Sequence, residues 1–377
     1  MAPTDGQDAE FLRHGALLTV DLGAIRENYR RLSARLKDSA CAAVVKADGY
    51  GLGAAQVGPA LARAGARDFF VALPDEGLAL REALAGLEPA PRIFILSGFE
   101  AGLGPDFRAA RLIPVLNSLG QLAAWREVAR AAEAPLPAAI HLDSGMSRLG
   151  LPPAELDTLA ADPARLDGLE PLLVMSHLAC AEEAENPKNQ EQLSLFQAAR
   201  ARLPALPASF ANSSGIFLGP AYHFEFARPG VALYGVNPTP GQPNPMAQVV
   251  RLQARILQVR EIDAPTTVGY GAAFRAAGPT RIATVAAGYA DGYLRSLSNR
   301  GTAFVADRAA PVAGRISMDL ITLDVTGVPA EALHPGALVD LIRPDDGLDR
   351  LAAEAGTIGY EILTSLGRRY RRVYHNA

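Results

Sequence analysis

Apolar residues recur at Ile25, Tyr29, Leu32 and Leu36, the spacing that lines one face of a helix. The rhythm then changes. From residue 42 to about 240, short apolar runs alternate with stretches of helical spacing. The runs at 42–46, 69–73, 92–96, 112–116, 138–143, 172–176, 208–211 and 231–234 predict strands. Helices are predicted between them, at 75–84, 119–131, 153–160 and 189–202 among others. Continuous apolar strands alternating with helices point to parallel strands buried on both faces, and eight such alternations predict a (β/α)8 TIM barrel. A doubly wound sheet is the alternative. The glycines that follow Lys46 do not form its fingerprint, because Gln56 stands where the third glycine belongs.

The texture changes again after Tyr234. Residues 237–245 carry four prolines and a glycine, the composition of a stiff irregular linker. Beyond it, strand-like runs at 249–261, 281–287, 302–305, 320–325 and 337–342 are separated by glycine, proline and aspartate turns. The expected organisation is a frayed N-terminus over 1–13, a barrel over 14–240 and a mainly-β domain over 241–377.

Composition narrows the function classes. A net charge of −4 in 377 residues supplies no basic field for nucleic acid. The one cationic cluster, Arg368, Arg369, Arg371 and Arg372, reads as a solvated terminal face. Two distant cysteines, Cys41 and Cys180, fit neither a disulfide framework nor a zinc site. No secretory signal and no membrane-length apolar run is visible, so a cytoplasmic protein without nucleic-acid or membrane partners is expected.

The chemistry gathers where barrels keep it, on the loops after the strands. Lys46 ends the first strand and is followed by Asp48-Gly49-Tyr50-Gly51. An amine at that lip loses hydration, which favours its neutral form and suits Schiff-base or proton-transfer chemistry. By itself a lysine leaving a strand more often extends into water. Arg148 lies in the loop after the fifth strand and His177 after the sixth. Ser213 follows the seventh, and Arg228, Gly230 and Val231 border the eighth. A serine hydroxyl with the open amides of Gly230 and Val231 suits a phosphate. Taken singly, His177 could be a satisfied buried histidine, Ser213 a helix cap and Arg148 a surface ion-pair partner. Their convergence on one barrel mouth, with a lysine beside a phosphate site, suggests pyridoxal phosphate.

The ordered motifs AVVKADGYGLG, HLDSGMSRLG, SHLACAEE, FANSSG, ARPGVALYG, VGYGAAF, GYADGY, GRISMD and TIGYEIL resemble those of the fold-type III alanine racemases, over residues 16 to 376. The resemblance implies a pyridoxal-phosphate enzyme that racemises L-alanine to D-alanine and supplies peptidoglycan synthesis, working as a homodimer. It implies that Lys46 holds the cofactor and serves as one catalytic base. Tyr289, from the partner subunit, would be the other, on the opposite face of the substrate carbon. Tyr50, Ser213, Gly230, Val231 and Tyr360 would hold the phosphate. His177 would support the ring, Arg228 would face its nitrogen, and Arg148 with Met318 of the partner would bind the substrate carboxylate. A tyrosine normally titrates near pH 10, so Tyr289 would need cationic neighbours to act as a base.

The chain departs from the family's pattern at three places. His141 stands where many members have a carbamylated lysine that neutralises and orients Arg148. Leu52 replaces a common histidine. Ser209 stands where some members have a histidine bonded to the ring-facing arginine. Rival readings are a racemase of serine, of basic amino acids or of a broader range, a decarboxylase on the same domain plan, and a single-domain pyridoxal-phosphate-binding protein. Arg228 argues against the decarboxylase, which needs an acid at the ring nitrogen. The C-terminal domain argues against the binding protein.

Overall fold

Nine short parallel strand segments, two of them pieces of one strand, close on one another between residues 40 and 227. The computed structural model describes residues 13–345 and 347–376; the expectation of a frayed N-terminus falls, but for residue 13, outside them. Chain contacts divide the protein into two units, residues 25–247 and a second made of residues up to 24 with those from 248 onward.

In the first unit the hydrogen-bonded order runs through Ala40–Cys41, Phe226–Ala227, Ala208–Ser209, Leu169–Met175, Leu136–His141, Leu112–Leu116, Arg92–Ile95, Asp68–Val71 and Ala43–Val44. Its first and last members are two pieces of one strand interrupted at Ala42, whose N–H donates to Ala227 O at 2.9 Å. The sheet therefore returns to its start and is a barrel. A doubly wound sheet would have two free edges.

Helices Leu22–Leu36, Pro74–Ala83, Leu119–Ala132, Pro153–Ala161 and Pro187–Arg200 match the predicted ones. Ile25, Tyr29, Leu32 and Leu36 are all buried. Phe69, Phe70 and Phe94 are at most 2% exposed and Phe70 stacks on Phe94 at 4.6 Å. Each such ring contributes about 1.5–3 kcal/mol by leaving water.

Two sequence-based assignments change. The eighth strand is Phe226–Ala227, and Val231–Tyr234 is a buried 3-10 turn. Burial on all sides gave that turn the apolar look of a strand. Arg228 is thus the first residue beyond the eighth strand. The domain boundary also moves. Ala16–Asp21, placed with the barrel by its position in the chain, pairs antiparallel with Val250–Ile262 and parallel with Arg371–His375. Its alternating burial is that of a strand with one covered face.

The second unit is built on an eight-stranded sheet around the 13-residue strand Val250–Ile262. Two helices, Gly347–Ala355 and Gly359–Ser365, complete it. The arginine run contributes Arg371 and Arg372 to a half-buried strand, while Arg368 and Arg369 are exposed. No helix among the described residues is long and apolar enough to cross a membrane.

Candidate active site

Lys46 leaves the first barrel strand into an unusual turn. Ala47, Asp48, Gly49 and Tyr50 have φ of 53°, 54°, 62° and 54°, four left-handed residues in succession. For the three that are not glycine this costs about 1–2 kcal/mol each. The surrounding contacts offset it. Ala47 N–H donates to Glu76 Oε1 at 2.6 Å, and Ala54 N–H to Asp48 Oδ1 at 2.8 Å. The buried Tyr50 ring stacks on Tyr234 at 4.6 Å, and Tyr234 donates its hydroxyl to Val44 O at 3.0 Å. The turn holds Lys46 half-buried at the strand end. Burial lowers the ammonium pKa, the charge of Arg148 lowers it further, and Glu76 opposes both. Glu76 also accepts from Ala72 N–H and so joins two barrel loops; an acidic residue in a helix's first turn was its only signal in the sequence.

Beside this turn is a cradle of donors. Ser213 Oγ accepts from Gly230 N–H at 2.9 Å and Ala232 N–H at 3.2 Å, leaving its own proton to donate. Val231 N–H has no partner among the described residues. Gly230 is required by close approach, since a Cβ there would lie 2.1 Å from the Tyr50 hydroxyl. The residues expected to hold a phosphate on the barrel therefore converge, and their donors suit an anion.

Arg228 is 4% exposed, with its guanidinium donating to Ser209 Oγ, to Ser176 O at 2.6 Å and towards His177 Nδ1 at 3.4 Å. Burial lowers its pKa to about 9, so it stays charged at neutral pH. No carboxylate pairs with it among the described residues. Ser209, the departure that put the arginine's support in question, supplies a hydrogen bond directly. His177 is held far below its ordinary pKa by burial and then by the charges of Arg228 and Arg148. Gln192 fixes its loop by donating to His177 O and accepting from Ala179 N–H.

His141 is buried, and its Nδ1 lies 2.7 Å from Asn117 Oδ1. The Asn117 amide donates to Leu96 O and Val115 O, so its oxygen must accept and His141 Nδ1 carries the proton. Burial, then Arg228, pushes this imidazole down to about 3. The position of the expected carbamate thus holds a neutral ring. Arg148, exposed on the loop that Asp143 shapes through three backbone amides, has no carboxylate partner among the described residues. Leu52 is fully buried.

Tyr289, Met318 and Tyr360 belong to the second unit. Tyr289 and Met318 are neighbours: Tyr289 N–H donates to Ser317 O and Ala290 N–H to Met318 O. Gly288 permits this, because a Cβ there would lie 2.3 Å from Met318 O. The buried Asp291 accepts from Gly288 N–H at 2.9 Å and pairs with Arg369 at 3.0 Å, which also reaches Asp319. Tyr289 and Met318 nevertheless remain 41% and 54% exposed. Tyr360 is half-buried on Gly359–Ser365.

A second tyrosine, which the sequence reading passed over, is more exposed. Tyr270 is 71% exposed on a turn whose Gly269, Gly271 and Ala272 all have positive φ. The Arg315 guanidinium lies against that turn, 3.0 Å from where a Cβ of Gly271 would be, and makes no ion pair among the described residues. Two residues beyond Tyr289, Asp291 pairs with Arg369, which also pairs with Asp319. The motif VGYGAAF contains Tyr270 without giving that tyrosine a role, and only the fold shows Arg315 against its turn.

Comparison with known proteins points to one family. Residues 20–238 match the family model described as alanine racemase, N-terminal domain, and residues 249–374 the corresponding C-terminal domain. The chain is 55% identical to an alanine racemase of Rhodospirillum rubrum, covering 96% of both, and 53% identical to a catabolic alanine racemase of Mesorhizobium japonicum, covering 96% of this chain and 93% of that one. The Bartonella henselae alanine racemase structure, with covalently bound pyridoxal phosphate, superposes with a TM-score of 0.91 at 41% identity, covering 96% of this chain and 99% of that one.

Proposed function

The chain belongs to the alanine racemase family, and from that premise we infer that it interconverts L- and D-alanine with pyridoxal phosphate held at the barrel mouth. The observation that carries this reading is the shared mouth itself: a half-buried lysine, an anion cradle and a buried unpaired guanidinium on one barrel end. Lys46 would hold the cofactor, Tyr50, Ser213, Gly230 and Val231 with Tyr360 its phosphate, and His177 and Arg228 its ring. When bound, the cofactor draws electrons from the substrate carbon and makes its proton removable.

The chain's residues do the rest. Lys46, with its ammonium form disfavoured by burial, takes or returns a proton at Nζ on one face. Arg228 cannot release a proton to the ring nitrogen, which weakens the electron sink and disfavours transamination and decarboxylation. Arg148, which has no carboxylate partner among the described residues, would bind the substrate carboxylate together with the partner subunit's Met318.

Racemisation needs a second group on the opposite face, and a tyrosine of the second unit fits. The resemblance points to Tyr289; a second candidate is Tyr270, the more exposed of the two, on a turn against which the Arg315 guanidinium lies. In either assignment the tyrosine comes from the partner of a homodimer. The exposed Tyr289, Met318, Leu320 and Ile358 of the second unit are apolar surface that such a partner would cover. The role is cytoplasmic supply of D-alanine for peptidoglycan, tested by rescue of a D-alanine auxotroph. Chiral chromatography of the cofactor-loaded protein tests the activity. D-alanine as the main product from a panel of L-amino acids supports the reading; D-serine or a basic D-amino acid replaces the substrate, and no D-product refutes it.

A further inference from the structure

A cavity lies at the other end of the barrel from Lys46. About 570 Å³ in volume, it is lined by the first residues of four barrel strands, among them Arg92, Leu112, Leu136 and Glu170. Its walls include Phe107 and Trp125, both buried, and the two rings contact at 5.6 Å. The volume falls in the range of small-molecule sites.

Charge at the cavity is one-sided. Arg92 is balanced by Asp68. Arg81 is not: its guanidinium donates to the carbonyls of Ala110, Pro91 and Arg111, and no carboxylate reaches it among the described residues. Arg108 and Arg111 are exposed at the rim and have no ion pair or side-chain hydrogen bond among the described residues. Glu170, also exposed, is the one carboxylate in the lining. Burial and the charge of Arg111 lower the pKa of Arg81, so the cluster disfavours its own positive charge. An anion here would relieve that repulsion, and an apolar body attached to it would cover the Phe107 and Trp125 wall.

We propose that this cavity is a second binding site, for a small amphipathic anion carrying an aromatic or short aliphatic group on a carboxylate, sulfonate or phosphate. Its recognition is divided: Arg108, Arg111 and Arg81 take the charge, and the Phe107–Trp125 wall takes the apolar part. The site is on the opposite barrel end from the substrate and does not require racemase activity.

Trp125 is the only tryptophan in the chain and reports directly on the cavity. The test titrates the holoenzyme with 8-anilinonaphthalene-1-sulfonate and follows Trp125 emission. Saturable quenching is expected, unchanged by excess L-alanine. In the doubly substituted Arg108→Ala, Arg111→Ala enzyme, with its racemase activity intact, affinity should fall at least about ten-fold, the loss of one charge-assisted hydrogen bond or more. N-phenyl-1-naphthylamine, the same rings without the sulfonate, should bind at least about ten-fold more weakly to the parent. Equal binding of the two probes, equal binding to the two proteins, displacement by L-alanine or absence of saturable quenching would each overturn the proposal.

Discussion

The barrel mouth and the loops around Tyr289 and Tyr270 solve opposite problems. In the barrel the functional groups are themselves fixed: Arg228 has three hydrogen-bonding partners, Ser213 accepts from two amides, and His141 is locked in one tautomer by Asn117. In the second unit the backbone is fixed and the Tyr289 and Met318 side chains are exposed. Asp291, Arg369 and the bare Gly288 tie the Tyr289 and Met318 loops together, yet both side chains project into solvent. The first arrangement is fixed by contacts within the barrel, and the second leaves two side chains exposed. That difference is what supports the proposal of a shared active site.

The sharpest way to break the comparison is at Lys46. Lys46→Ala should remove the absorbance of lysine-bound cofactor and lower turnover by about 10⁴-fold or more. Retained absorbance would move the attachment to Lys37 or Lys188, the only other lysines. Next come the tyrosines. Phenylalanine at the true second base should cost about 10²–10⁴-fold and retard exchange of the α-proton from one enantiomer far more than from the other. At the other tyrosine the loss should be smaller and equal for both enantiomers. If Tyr289→Phe gives the asymmetric loss, Tyr270 is not the second base.

Gly230→Ala probes the cradle without touching a catalytic group. Because the new methyl would strike the Tyr50 hydroxyl, cofactor affinity measured by equilibrium dialysis should fall by about ten-fold or more, a loss comparable to one hydrogen bond to a charged group. Unchanged affinity would place the phosphate elsewhere.

The smallest effect concerns acid stability. His141 has a folded pKa of about 3, below its ordinary 6.5. Below pH 6.5 the unfolded chain therefore binds a proton that the folded one refuses, and the stability present above pH 6.5 is lost as the pH falls towards 3. His141→Asn should flatten that decline between pH 6.5 and 5 by about 1–2 kcal/mol, read from urea unfolding. An unchanged slope would mean that His141 is not the buried neutral base described.

Much of this was legible in the sequence. The helix and strand periods gave the barrel, and the residues after its strands gave Lys46, His177, Ser213 and Arg228 before any coordinate. What escaped depends on contacts distant in sequence. The pairing of Ala16 with Ala254 moved the first strand into the other unit. An eighth strand with only two regular residues, Phe226 and Ala227, is too short to show a period. Asn117, Gln192 and Glu76 matter through what they touch, which composition and spacing do not encode. Likewise Tyr270 and Tyr289 each follow a glycine, and only the fold brings the Arg315 guanidinium against the turn of Tyr270.

The shared site can be tested by mixing two inactive chains. Lys46→Ala protein is co-expressed with a tyrosine variant, Tyr270→Phe in one experiment and Tyr289→Phe in another, and the hybrid dimer is assayed for racemisation. If lysine and tyrosine meet across the interface, one hybrid contains a complete site and regains activity far above either parent. If both groups belong to the same chain, every hybrid site lacks one of them. Activity no higher than that of the parents, in purified hybrids of both pairs, would contradict the account.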